Sequence, residues 1–225
     1  MKKLSIKEIV EFRSKSERSK KNFANEVKLN KEKINTEGGG DYWVSCLSAI
    51  SSSFKTNNLQ LISARIEDLE GKHETTDFNR TKTMYKRNIN ILNNYKDFDF
   101  KKWMPSESLQ FLKKVKQSYL LNIKGFVIQV APHHVFAFEH DDIKEVGAIW
   151  FIAKLNGFKE DELGMFTDIL YRYLKANFSG NYNVNSKYCI AVDVFNNIEV
   201  NYLQLEKKEV PRILDSTLNA IKSLM

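Results

Sequence analysis

Cysteine, proline and glycine are scarce in this chain of 225 residues, which holds two, three and nine of them. Cys46 and Cys189 stand far apart in unrelated contexts. Two thiols are too few for a disulfide scaffold or a thiolate zinc site, and they suit a reducing compartment. No apolar run reaches the roughly 18 to 20 residues that a membrane span requires; "GAIWFIA" is typical of the longest. Lys7 and Glu8 interrupt the only stretch that could act as a signal peptide. These absences lead to the expectation of a cytoplasmic protein without membrane association. Enzyme signatures are missing as well. The chain has no G-x-S-x-G elbow, no H-E-x-x-H, no G-x-G-x-x-G and no suggestive Cys–His spacing. No cofactor is expected.

What is present is enough apolar content, 42% of residues, to build a sizeable core. Charge is unevenly spread. Residues 1–128 hold 25 Lys and Arg against 15 Asp and Glu, net +10, whereas residues 129–225 hold 10 against 13, net −3. A basic first half points to an anionic partner, or else to solvated helix faces in a lysine-rich chain.

Periodicity divides the chain in two. Residues 4–35 read as one highly charged helix with a thin apolar stripe through Leu4, Ile9, Phe12, Phe23 and Val27. "EGGGD" ends it, with Asp41 placed to cap a buried helix carrying Trp43, Leu47 and Ile50. Two amphipathic helices follow, "LQLISARIEDLEG" and "RTKTMYKRNINILNNY", then a fourth over "SESLQFLKKVKQ" with Ser106 as its cap. Near Tyr119 the texture turns to strands. "YLLNIKGFVIQVAPHHVFAFEH" reads as two β runs around a proline turn. "VGAIWFIAKLNG" reads as a strand buried on both faces, which requires Trp150 and Phe151 both to be covered. A strong helix over "KEDELGMFTDILYRYLKANF", a hairpin about Asn196–Asn197 and a C-terminal helix after Pro211 complete the pattern. The expected class is α+β: a helical N-terminal half and then a βββαββα mixed-sheet unit. The expected divisions are a basic helix at 1–37, a helical subdomain at 41–118 and a sheet domain at 119–225.

Candidate sites are few. "GGGDYW" could cradle a phosphate on free N–H groups, but it lacks the lysine of a P-loop and places Asp41 where the anion would sit. It reads better as a joint. His133, His134 and His140 alternate between strand faces with Phe136 and Phe138 between them, so they do not converge on a metal. Strand alternation leaves Asp193 on a wet face.

The order helix, three strands, helix, strand over residues 106–195 resembles the core of the PD-(D/E)XK nucleases. In that family an acid near the second strand and Glu-x-Lys on the third hold a divalent metal that activates water. The resemblance puts Lys154 at the lysine position, Asp141 or Asp142 at the second strand and Glu107 on the helix. The motif is broken, because Ile152 stands where the metal-binding acid belongs, unless Glu160 or Glu162 replaces it. An enzyme of this chain would be a metal-dependent phosphodiesterase, but the reading favours no catalysis and no metal site.

The most distinctive stretch is "FRSKSERSKKNF", in which Arg13, Lys15, Arg18, Lys20 and Lys21 face Glu17 alone. Many cations, short serines and no recognition-helix motif suit phosphate contact rather than base readout. Arg80, Lys82, Lys86 and Arg87 on the outside of the "RTKTMYKR" helix extend the same character. The expected function is a non-catalytic nucleic-acid-binding component of a larger assembly. It would contact phosphates with low sequence preference and would also hold a protein partner. The alternatives are the degenerate nuclease and a protein–protein scaffold subunit.

Overall fold

The computed structural model describes residues 3–30, 42–113 and 119–225. Its centre is a five-stranded mixed sheet. The strands lie in the order β2 (Gln110–Phe111), β5 (His134–His140), β6 (Ile143–Ile152), β7 (Asn183–Asp193) and β8 (Ile198–Asn201). All neighbours are antiparallel except β6 and β7, which run parallel. A parallel pair needs a crossover, and α6 (Glu160–Phe178) supplies it. The three acids of the α6 first turn face its positive end.

Strand β6 has the expected double burial, and its alternation sorts the whole molecule. Val146, Ala148, Trp150 and Ile152 point into one core; Ile149, Phe151 and Ala153 point into the other. The first core is covered by α6, by α8 (Leu214–Ser223), and by the opening elements β1 (Lys3–Ser5), α1 (Ile6–Ser14) and α2 (Glu17–Lys28). The second is covered by α3 (Val44–Thr56), α4 (Gln60–Thr75) and α5 (Asn79–Asn93), with Phe100 and Trp103 of a short 3-10 turn. The α+β class therefore holds, with helices ahead of the main strands. Among the described residues no helix is long and apolar enough to cross a membrane.

Several local expectations are corrected. Residues 4–28 are not one helix. Leu4 sits in β1, which pairs in parallel with β4 (Phe126–Gln129), and the helical run breaks at Lys15–Ser16. Serine drives both starts: Ser5 and Glu8 form a reciprocal capping box on α1, and the Ser16 hydroxyl accepts from the Ser19 amide on α2. The break lets Phe12 and Phe23 turn inward together, with ring centroids 5.7 Å apart.

The fourth expected helix is also absent where it is described. Gln110 and Phe111 pair with Ala137 and Phe136 at the sheet edge. The Phe111 ring meets Phe54 and Phe136 edge-on, a gain in packing that overrides local helix propensity. Residues 114–117 of that helix lie outside the described residues, as do the glycine run and Asp41. The stretch expected as a single first strand is a hairpin, β3 (Leu120–Ile123) and β4, turning at Lys124 and Gly125 with φ of 54° and 88°. Together with β1 it makes a separate three-stranded sheet. A short helix, α7 (Tyr202–Glu206), was not anticipated.

Asp193 is buried, not on a wet face. Its carboxylate accepts from the Phe158 amide at 2.9 Å and the Phe195 amide at 3.1 Å, tying the loop after β6 to the loop after β7. Burial pushes its pKa up, and the two amide hydrogen bonds work against that rise. The approach is so close that a Cβ on Gly157, which has φ +70°, would lie 2.3 Å from that carboxylate.

Candidate nucleic-acid interface

The inner face of α1–α2 is committed to the core through Ile9, Val10, Phe12, Phe23, Ala24 and Val27, all buried. That burial fixes the outer face and the cations it carries. Two of the five are engaged. Arg13 donates to the Thr217 hydroxyl of α8 at 3.0 Å. Lys20 donates to Glu17 at 2.8 Å and holds the Glu17 carboxyl below its ordinary range through that hydrogen bond. The side chains of Lys15, Arg18 and Lys21 make no hydrogen bond or close ion pair among the described residues, although the charge of Lys21 adds to the lowering of Glu17, and Arg18 and Lys21 are exposed.

On α5, Arg80 and Lys86 are exposed, while Lys82 and Arg87 are half-buried. Arg87 donates to the Tyr42 hydroxyl at 2.9 Å and lies over that ring. Next to it, buried Asn88 accepts from the Cys46 amide at 3.0 Å and donates to the Tyr42 carbonyl at 2.8 Å, locking α5 onto the start of α3.

The two basic sets do not form one surface. Helices α1–α2 cover one side of the main sheet and α3–α5 the other. The expected basic helical half is therefore split, because the apolar stripes of its two parts match opposite faces of β6. A third group of cations went unnoticed in the sequence. Lys55, Lys101 and Lys187 border one polar groove although they come from α3, the 3-10 turn and β7. No local pattern could have flagged residues so far apart in the chain.

The nuclease arrangement does not assemble. Lys154 does meet an acid, Glu162, at 3.2 Å. However, Glu162 also accepts from the Lys159 amide at 3.0 Å, which is the work of a helix-start residue. Asp141 and Asp142 form the turn between β5 and β6 with positive φ, at the opposite end of β6 from Lys154. Ten residues of strand separate them, about 30 Å at ~3.3 Å per residue. Glu107 lies at that far end too, bound to His140 at 2.7 Å. Among the described residues no three His, Cys, Asp or Glu side chains could share a metal ion. His133 and His134 serve the fold. His133 Nδ1 accepts from the Phe151 amide at 3.2 Å, and His134 Nε2 lies 2.9 Å from the Ser51 carbonyl.

The His140–Glu107 contact yields a measurable pH effect. The hydrogen bond that His140 donates to Glu107, with the charge of Asp141 behind it, raises the His140 pKa above 6.5, and the same bond lowers that of Glu107. The raised histidine contributes stability that is fully present below its unfolded pKa and is lost as pH climbs through the folded value. The lowered carboxylate contributes above its own unfolded pKa and loses that contribution in acid. NMR titration of the His140 ring should therefore give a midpoint above 6.5. Glu107→Gln should bring it down, and an unchanged midpoint in that variant would show the contact is absent in solution.

Comparison with protein-family models, with curated proteins and with solved structures gives no match.

Proposed function

We propose that this protein binds nucleic acid without cleaving it, as one component of a larger assembly, meeting phosphates through the outer face of α2 with little sequence preference. The observation that carries the reading is the set Lys15, Arg18 and Lys21. Arg18 and Lys21 stand on a helix fixed by its buried face, Lys15 lies at the break just before it, and none is within ion-pair distance of a carboxylate among the described residues. A fixed helix backbone lowers the ordering cost when a phosphate arrives. A cytoplasmic location belongs to the same reading. Both cysteines are free and buried, and burial pushes the Cys46 thiol up to about 12, so neither has the character of a reactive thiol.

The test is titration of labelled duplex and single strands at several salt concentrations. Each neutralised phosphate contributes a slope of about −0.9 in log K against log salt on duplex. Changing Lys15, Arg18 and Lys21 together to Gln keeps helix propensity nearly constant. It should weaken binding alike for unrelated sequences and reduce the slope by about two to three. If wild type binds neither form at low salt, the reading is wrong, and the face instead serves a protein partner or solvent.

A further inference from the structure

The groove bordered by Lys55, Lys101 and Lys187 has a volume of about 750 Å³ and combines two features that the α2 face lacks. The first is convergent charge. The three lysines are exposed, and no carboxylate pairs with any of them among the described residues. The one acid in the lining, Glu107, is already committed to His140. The second is fixed aromatic surface. Half-buried Phe111 is held edge-on by Phe54 and Phe136 at 6.2 Å each, and half-buried Tyr188 edge-on by Phe138 at 5.3 Å. Rings packed against buried neighbours have little freedom left to lose when a base arrives.

Cation and ring come in pairs. Lys55 Nζ lies 5.7 Å from the Phe111 ring and Lys187 Nζ 5.2 Å from the Tyr188 ring. Each ammonium lies over its ring, and a nucleotide fits such a pair when the lysine swings from the ring to the phosphate and the base takes its place on the π face. One feature opposes an anion here. The last turn of α3 presents carbonyl ends with partial negative charge, and Lys55 in that turn offsets it.

We propose that this groove takes single-stranded nucleic acid, with bases stacked on Phe111 and Tyr188 and phosphates on Lys55, Lys101 and Lys187. The inference rests on the nucleic-acid reading above and adds the strand form. Base faces inside a duplex are already covered by their neighbours, so stacking platforms select unpaired strands.

The experiment compares a labelled oligothymidylate of about 12 nucleotides, within the usual site size of single-strand binders, with a duplex of similar length. The proteins are wild type, Tyr188→Leu, the triple change K55Q/K101Q/K187Q, and the α2 triple change. Tyr188→Leu should weaken oligothymidylate binding roughly 5- to 100-fold, the effect of losing one stacked base, and leave duplex binding unchanged. The lysine triple change should reduce the single-strand salt slope by about two, at roughly −0.7 per contact. If wild type binds oligothymidylate but both groove variants bind it equally well, the groove inference is overturned while the α2 reading stands. If the groove variants lose the single strand and the α2 variant loses nothing, the α2 reading fails and the groove stands. If wild type binds neither probe, both are overturned.

Discussion

Arg172→Met should destabilise the protein by about 3–5 kcal/mol, the cost of removing one partner from a buried ion pair. Arg172 faces two carboxylates from two helices. Its Nε and Nη2 donate to Asp168, and its Nη1 and Nη2 to Asp215, all at 3.0 Å. The two acids differ in surroundings. The Asp215 side chain on α8 is 47% exposed and can turn to water, whereas that of Asp168 on α6 is 3% exposed. The loss therefore falls on Asp168, left charged and desolvated inside the first core. Asp215 loses the hydrogen bond from Arg172 that holds its carboxyl below 3.8. Equilibrium urea denaturation measures the change. The double variant Arg172→Met with Asp168→Leu should recover most of it, since two apolar side chains of similar volume require no pairing. A single variant within about 1 kcal/mol of wild type, the range of an exposed pair, would show that the network is solvated and contributes little.

Phe151→Ala should cost about 3–5 kcal/mol, as large truncations in packed cores do. The side chain is 1% exposed. Its ring lies between those of Phe54 and Trp103, each 5.8 Å away, so the cavity would be walled by rigid aromatics that cannot collapse into it. Trp150, the other half of the expected pair, is 9% exposed and edge-on to Phe166, and both Phe151 and Trp150 border an existing cavity of about 300 Å³. Truncating Trp150 removes more atoms from a site that is already imperfectly filled. Denaturation of both variants should give cooperative curves with lowered midpoints. A Phe151→Ala protein of unchanged stability would mean that α3–α5 do not cover this face of β6 in solution.

These two residues show how far local pattern reaches. The run "GAIWFIA" has no polar position on either side, so burial on both faces is the only arrangement that keeps it from water, and β6 obeys. Helix α6 follows the same logic: acids first, then apolar residues at helical spacing, and its limits emerge almost as read. The same holds for the turn at Asn197, which adopts the positive φ that asparagine tolerates. Reading failed where two local solutions were close in energy. "LQFL" carries helix formers and also fits an edge strand, and the open edge of β5 beside Phe54 chose the strand. The β3–β4 turn uses Lys124–Gly125 in place of Asn–Gly, so a hairpin looked like a single strand.

Composition and periodicity alone determined the α+β class, the double burial of β6 and the chemical character of the basic stretch, because each depends on neighbours within a few residues. Tertiary structure alone decided which cations are engaged among the described residues. Arg13 meets Thr217 and Arg87 meets Tyr42 across large separations in sequence, and α2 and α5 are carried to opposite sides of one sheet. It also gathered Lys55, Lys101 and Lys187 around one groove. Charge acts through distance in space, and distance in space between remote segments is set by which apolar faces fit together, a property that no window of sequence contains.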